Sequence, residues 1–369
     1  MKTRMKEYWD KLEAEYEDKY KEKIFKNYEQ TVPVFEKFRD FLNELLSKYP
    51  TDVDIICILA SVELELGYQK IAIKLLEDFI SKYKNTISDT DKARIYTNLG
   101  FYHEFGEKQG ECLLEAEKLN SPFVETYKGL ALTYFSNYEY NKATEDLYKS
   151  LKYFEKALKI TNDYEIYFGY AVCLFEAKQY QKAKEVFEEL LCEYPNRMRL
   201  LLGISYCEAY LGNKEKALHY LKQVKVDQDK NYYLGTDDID DFQIFEVYYF
   251  LEEYDLFLEE CEKEIMRYYF ADWNHYFYTL WIKNEDEKFN KYIEKYKNEM
   301  LEAIEEAKID DDFSDEKERQ DCIKSYEEDL EKLMTMSNKI QNGNYKPKIE
   351  LKLYPEYGCF LIDCIRHNF

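Results

Sequence analysis

Residues 164–197 read YEIYFGYAVCLFEAKQYQKAKEVFEELLCEYPNR. Two helical runs can be seen in this stretch, because its apolar residues recur every three or four positions. The first run is Tyr167-x2-Tyr170-Ala171-x2-Leu174, and the second is Ala183-x3-Phe187-x2-Leu190, followed by Pro195. The segment therefore predicts a pair of helices joined by a short turn.

The same register returns 34 residues further on. Ala217 follows Ala183, Leu221 follows Phe187 and Val224 follows Leu190. Related patterns precede it, beginning at Ile56, Tyr96 and Tyr127. Small residues at fixed positions let paired helices approach closely, and large ones fill the space between pairs. A single pair cannot bury its apolar face, so the pairs must stack.

These residues resemble the tetratricopeptide repeat, a helix–turn–helix unit of 34 residues. The resemblance covers residues 53–297 and is clearest over 93–224. It implies an all-α fold, an α-solenoid of helix pairs. One repeat is longer, since Ala143 and Ala183 are 40 residues apart, and we expect its second helix, over 147–160, to be lengthened.

The segments outside the repeats differ in character, and we divide the chain accordingly. Residues 1–50 are expected to form capping helices, 51–297 the repeat array, and 298–344 an acidic helical segment in which Ser314 caps the second helix. Residues 345–369 form a tail whose apolar residues alternate at Ile349–Leu353, as in a strand. We expect a short β-hairpin in this tail, docked on the last helices or on a partner.

Composition supports the helical fold and excludes several classes of protein. The 369 residues include only 11 Gly and 6 Pro, and the net charge is −23. Such a charge argues against binding nucleic acid or an anionic membrane. No run approaches the roughly 18 apolar residues of a membrane span, and no signal peptide is visible. Nine irregularly spaced cysteines suit reduced thiols, so we expect a cytoplasmic protein.

Catalytic and metal-binding motifs are hard to find. The sequence has no P-loop, GxGxxG, GxSxG or HExxH pattern, so we predict that the chain is not an enzyme and needs no cofactor. The pattern Cys359-x4-Cys364-x2-His367 supplies three soft ligands, but zinc usually has four. The acidic run Asp237–Asp241 lacks the Gly and Glu of a calcium loop. We therefore expect no metal site.

The resemblance also implies a peptide-binding surface on the first helix of each pair. Aromatic side chains would supply rigid contact area there, and Arg would supply forked hydrogen bonds. Asn98 matches a position that often holds a peptide backbone, although the full Lys–Asn–Arg clamp of chaperone-binding members is absent. The positions carried over are Arg94, Asn98, Phe101, Lys128, Phe168, Val172, Phe175, Arg199, Tyr206 and Tyr210.

A second candidate surface is acidic. Residues 298–331 hold 15 acidic and 4 basic residues, about half of the net charge in a tenth of the chain. Its centre consists of Asp310, Asp311, Asp312, Asp315, Glu316 and Glu318. Acidic surfaces steer basic partners.

These observations leave three functions open. The leading hypothesis is a non-enzymatic module that binds a polypeptide. The alternatives are an immunity protein or inhibitor that neutralises a basic toxin or enzyme, and an intracellular receptor for a signal peptide.

Overall fold

The computed structural model of the chain is all-helical. It describes residues 1–104, 106–225, 239–264, 273–310, 312–343, 345–367 and 369, without the side chains of Asp241 and Glu264. These ranges contain 17 helices and no strand. They divide into two compact units: unit 1 comprises Met1–Glu193 and Leu353–Phe369, and unit 2 comprises Tyr194–Lys352.

Unit 1 contains ten helices. They are α1 (Lys2–Tyr20), α2 (Tyr28–Lys48), α3 (Val53–Glu65), α4 (Gln69–Tyr83), α5 (Asp89–Tyr102), α6 (Glu107–Lys118), α7 (Val124–Asn141), α8 (Thr144–Leu158), α9 (Tyr164–Glu176) and α10 (Tyr180–Glu193). Each helix packs on the next along the chain, and α3–α10 form four helix pairs. The first helices of these pairs are α3, α5, α7 and α9, and the second helices are α4, α6, α8 and α10.

The first and second helices of the pairs are buried to different extents. In α3, ten of the thirteen residues are buried. In α4, only a single face is buried, formed by Ala72, Leu76, Phe79 and Ile80. A helix that is apolar on every side must be covered on every side, whereas an amphipathic helix lies at the surface. The first helices therefore need a cover on the side that faces away from their partners.

Glycine at the close approach of two helices sets the packing distance in unit 1. A Cβ built on Gly169 of α9 would lie 2.5 Å from Cζ of Phe154 on α8. A Cβ on Gly100 of α5 would lie 2.8 Å from Cγ of Leu113 on α6. Both distances are shorter than any ordinary carbon–carbon contact. The small residues that define the repeat are therefore required by the spacing of the helices.

The N-terminal helices α1 and α2 belong to the same hydrophobic core as α3–α5. Trp9 of α1 lies between Phe35 and Phe38 of α2, with ring centroids 5.5 and 5.2 Å apart. Asn27 caps α2 by accepting a hydrogen bond from the backbone N–H of Gln30.

Unit 2 contains seven described helices. They are α11 (Met198–Tyr210), α12 (Lys214–Leu221), α13 (Asp241–Phe250), α14 (Tyr254–Glu264), α15 (Asn274–Ile282), α16 (Asp286–Ile309) and α17 (Glu316–Gln341). The long helices α16 and α17 pack on each other.

Three details of the sequence prediction are wrong. The cap of α17 is Asp315, which accepts from the N–H of Glu318 at 2.8 Å, while Ser314 donates to the Glu318 carboxylate. The longer helix of the long repeat is α7, with 18 residues, whereas α8 has 15. No described residue of the tail 345–369 is in a strand, so the expected hairpin is absent from that part of the chain.

The contact at Gly169 predicts the effect of a single methyl group. We expect Gly169→Ala to lower the free energy of unfolding by about 1–3 kcal/mol, because the added Cβ overlaps the ring of Phe154 and the core must shift. Urea unfolding followed by circular dichroism measures the change. Gly110→Ala in α6 is the matched control. Its Cβ would lie 3.7 Å from Cγ2 of Thr133 on α7, an ordinary contact, so the substitution should stabilise the helix by about 0.5–1 kcal/mol. Equal effects of the two substitutions would contradict the packing argument.

Candidate functional site

The surface formed by α3, α5, α7 and α9, called the groove here, is occupied by residues 353–369 of the chain's own tail. Residues 353–369 of the tail meet these helices in reverse order. The N–H of Leu353 donates to Glu176 on α9 at 3.2 Å, and the N–H of Ile365 donates to Ser61 Oγ on α3 at 3.2 Å. The ring of Phe369 reaches Phe38 on α2, with centroids 5.7 Å apart. A segment without helix or strand, with turns at 362–363 and 365–367, thus covers the side of the first helices that their partners leave open.

Asp363 is the charged anchor of this segment. Its side chain is 1% exposed, and Arg94 of α5 binds both of its carboxylate oxygens. The Nε of Arg94 donates to Asp363 Oδ2 at 2.8 Å, and its Nη1 donates to Asp54 at 2.8 Å. Burial lowers the pKa of Arg94, but the hydrogen bonds and charge of Asp363 outweigh it, so the pKa lies above its usual value. The Arg94 guanidinium therefore remains charged at any ordinary pH.

Asn98 of α5 recognises both the backbone and a side chain of the tail. Its Oδ1 accepts from the N–H of Ile362 at 3.1 Å, and its Nδ2 donates to Asp363 Oδ2 at 2.8 Å. The Asn98 side chain is fully buried. A buried amide that uses both ends in this way selects a backbone N–H followed by a carboxylate on the next residue.

An aromatic contact lies three residues before the anchor. Phe360 meets the ring of Phe101 edge-on, with centroids 5.1 Å apart. A Cβ on Gly129 of α7 would lie 2.9 Å from the Phe360 ring. Lys128 of α7 donates to the carbonyl oxygen of Cys359 at 3.1 Å and forms an ion pair with Glu165 of α9. Glycine at 129 therefore leaves the space that the aromatic ring fills.

Three further predicted positions in unit 1 lie in the packed interior. Phe168 is 1% exposed, and its ring centroid is 5.7 Å from that of Phe187 on α10. Phe175 is 2% exposed and meets Tyr180 at 5.3 Å. Val172, between them on α9, is fully buried.

Unit 2 holds the other predicted positions and tail residues 345–352. The N–H of Leu351 donates to Tyr210 Oη at 3.0 Å. Tyr249 of α13 donates to the carbonyl oxygen of Pro347 at 2.8 Å, and His275 of α15 lies 3.2 Å from that of Lys348. The predicted Tyr210 therefore contacts extended chain in this unit.

Tyr206 and Arg199 complete the predicted set in unit 2. Tyr206 is fully buried and donates to the carbonyl oxygen of Gln243 at 3.0 Å, within the helical core. Arg199 is half-buried on α11.

The predicted acidic residues lie around the turn between α16 and α17. Asp310, Asp312, Asp315, Glu316 and Glu318 are exposed there. Several have local partners: Asp315 caps α17, Glu318 accepts from Ser314, and Glu316 pairs with Arg319 at 2.7 Å. Asp311 lies outside the described residues, as do Asp237 and Asp238 of the other acidic run.

Three soft ligands of the tail meet in unit 1. The sulfurs of Cys359 and Cys364 and a ring nitrogen of His367 all lie within 4.8 Å of one another. Cys364 Sγ is 3.4 Å from His367 Nδ1. Contact with the Cys359 thiol lowers the pKa of Cys364. The sequence showed the spacing of these residues but not that a turn would bring them together.

Sequence reasoning missed the residues that complete the groove. Ser61, Asp54, Glu165 and Glu176 all contact the tail or its cationic partners. The tail offered one signal for them. The residues around Asp363 are apolar, and an apolar run is not expected in a tail that is exposed to solvent.

Loss of the anchor is expected to release the tail. Asp363→Ala leaves Arg94 buried without its main partner, so we expect a loss of about 3 kcal/mol in the free energy of unfolding. Hydrogen exchange at the Ile362 amide should accelerate in parallel. Lys346→Ala is the control, because its ion pair with Glu252 is exposed and is worth about 0–1 kcal/mol. An unchanged rate of hydrogen exchange at the Ile362 amide in the Asp363 variant would contradict the conclusion that Asp363 holds the tail in place.

Solved structures with a similar arrangement of helices include the following three. One is YrrB, described as having an unusual peptide-binding site, at 16% identity with 53% of this chain and 95% of that chain covered (TM-score 0.43). Another is apo RapI, at 15% identity with 92% and 99% covered (TM-score 0.49). A third comes from Parabacteroides merdae, at 14% identity with 71% and 94% covered (TM-score 0.40). None of these likenesses is close enough to assign a partner.

Two other findings bear on the chain. No curated protein matches its sequence. Among the described residues, none of the helices combines the length and the apolar character needed to cross a membrane.

The family match falls on the segment whose helix pair is α9 and α10. Residues 165–197 match the model of the tetratricopeptide repeat. Gly169, Ala171 and Ala183 are the small residues of this pair, and Phe168 and Phe187 fill the space between its helices. The chain therefore carries a tetratricopeptide repeat at residues 165–197, as its sequence predicted.

Proposed function

We propose that the chain is a non-enzymatic module that binds a polypeptide segment in the groove of unit 1. The observation that carries this proposal is the double contact of Asn98, which holds the backbone N–H of Ile362 and the carboxylate of Asp363. On this proposal, residues 353–369 are an intramolecular ligand that occupies the site of the partner.

The contacts of the tail define the chemistry of the partner. Arg94 and Asn98 bind a carboxylate, and Phe101 with Gly129 accepts an aromatic ring three residues earlier. We infer a segment with an aromatic residue, two apolar residues and then an aspartate or glutamate. The same chemistry suits a free signal peptide and an exposed segment of a larger protein.

A partner must displace the tail before it can bind. A covalently attached ligand acts at an effective concentration on the order of millimolar. The apparent affinity for a partner is then lowered by the fraction of chains whose tail is released. Only a partner that binds the groove tightly enough to displace the attached tail therefore occupies the site.

A fluorescent peptide with the sequence of residues 353–369 tests the proposal. Its host is the full chain with Phe360→Ala and Asp363→Ala, which weakens the competing tail. We expect the labelled peptide to bind this host at least about tenfold more tightly than it binds the unmodified chain, because the intramolecular competitor is removed. Fluorescence anisotropy in reducing buffer gives both dissociation constants.

A further substitution in the same host identifies the surface. Asn98→Ala should weaken binding by about 1–3 kcal/mol, because two hydrogen bonds are lost. The control is Asn141→Ala, at an exposed position at the end of α7, which should leave the affinity unchanged. Failure of the labelled peptide to bind the host, or equal binding to the Asn98 variant, would overturn the groove proposal.

A second candidate is an inhibitor of a basic toxin or enzyme that binds at the turn between α16 and α17. The exposed carboxylates of Asp310, Asp312 and Glu316 favour it, because they lie close together around a short turn, where Glu316 pairs with Arg319. Such a surface attracts basic partners at long range.

Oligolysine provides a probe of this second surface. We expect the variant with Asp310→Asn, Asp312→Asn and Glu316→Gln to bind a labelled oligolysine several-fold more weakly. The Asp315 cap of α17 and the hydrogen bond from Ser314 to Glu318 are retained in this variant. Binding to the unmodified chain should disappear near ~0.5 M salt, where screening is strong. Asn98→Ala serves as the control and should have no effect. Oligolysine binding that persists at this salt concentration, or that is equally strong in the triple variant, would exclude the acidic turn as the binding surface.

A further inference from the structure

We propose that Cys359, Cys364 and His367 form a binding site for a thiophilic divalent cation of the Zn²⁺ class. The three side chains belong to one short segment of the tail, and their ligand atoms lie within 4.8 Å of one another. In the described residues they are the one group of three such ligands at this distance. Two sulfurs and an imidazole nitrogen are the donors that Zn²⁺ prefers over oxygen-seeking cations.

The spacing of the ligands fits a tetrahedral ion. Zinc–sulfur bonds of about 2.3 Å and zinc–nitrogen bonds of about 2.0 Å place neighbouring ligands about 3.6 Å apart. The distance between Cys364 Sγ and His367 Nδ1 is 3.4 Å. Binding therefore requires only a small contraction of the group, which brings the Cys359 sulfur to the same separation. Both thiols bind as thiolates and release their protons to the solvent.

Solvent is positioned to supply the fourth ligand. Cys364 is buried and Cys359 is half-buried, but His367 is exposed. Sites with three protein ligands keep an open position that a water molecule fills. A cation here thus has two sulfurs on the protein side and an open side toward the solvent.

The position of the site couples it to the groove. Residues 359 and 364 flank Asp363, and Lys128 holds the carbonyl oxygen of Cys359. A cation that joins Cys359, Cys364 and His367 closes this stretch into a loop around the anchor and stabilises the docked tail. Metal binding and partner binding would then weaken each other by the same factor. This coupling rests on the proposed function, whereas the metal site itself does not.

Cobalt substitution tests the site in the full chain under reducing conditions. One equivalent of Co²⁺ should produce the thiolate-to-cobalt charge-transfer band and the intense visible bands of a tetrahedral ion. Zn²⁺ added afterwards should abolish both, and the competition gives its dissociation constant. The double variant Cys359→Ser with Cys364→Ser should weaken binding by at least about 100-fold, more than the loss typical of an outer-shell partner.

Two single variants control for folding and for adventitious thiols. His367→Asn changes an exposed side chain, so the chain keeps its fold while the affinity for cobalt falls. Cys192→Ser removes an exposed cysteine of α10 that lies outside the group, and the spectrum should not change. Absence of the tetrahedral spectrum in the reduced chain, or its persistence in the double cysteine variant, would overturn the site.

The coupling to the groove is read separately. The probe is the labelled 353–369 peptide with Cys359→Ser and Cys364→Ser, so that the peptide does not itself hold the cation. Zn²⁺ should weaken its binding to the unmodified chain, with no such effect in the double cysteine variant. A cobalt spectrum without peptide binding would support the metal site and refute the groove proposal. Peptide binding without the cobalt spectrum would support the groove proposal and refute the metal site.

Discussion

The structure of each unit depends on helices that are buried on more than one side. In α3, ten of thirteen residues are buried, and α11 is buried almost throughout. Partner helices and neighbouring pairs cover such a helix on three sides. The remaining side would expose a row of apolar residues to water, at a cost of about 25 cal/mol per Å². Tail residues 353–369 cover that side in unit 1. In unit 2, residues 345–352 contact α11 and α13.

A charge placed in this apolar groove has to be paired. Asp363 meets Arg94 and Asn98 in a site that leaves its side chain 1% exposed. Breaking a buried pair is costly, although forming one adds little net stability because both charges lose their hydration. We therefore interpret the pair as a device that selects one register of the tail. Shifting the tail by a single residue would leave Arg94 without its carboxylate and Asn98 without its backbone N–H.

The two candidate surfaces differ in charge and in depth. The groove presents Arg94 and Lys128 from buried positions, so it suits a carboxylate on a polypeptide and responds weakly to salt. The turn between α16 and α17 presents exposed carboxylates, whose attraction for a cation is screened by salt. The net charge of −23 thus describes the outer surface rather than the groove. A partner of the groove is recognised against the overall charge of the chain.

The sequence by itself determined the helix pairs, their small residues and the inward positions Arg94 and Asn98. These features depend on contacts between residues three or four apart, and such contacts leave a period that can be read. The sequence could not reveal which segment lies in the groove, because Asn98 and Asp363 are 265 residues apart and such a distant contact leaves no local period. Alternating apolar residues also look the same in a paired strand and in an extended tail held by helices, so the hairpin prediction failed. Only the tertiary structure decided the occupant, and with it the turn that gathers Cys359, Cys364 and His367.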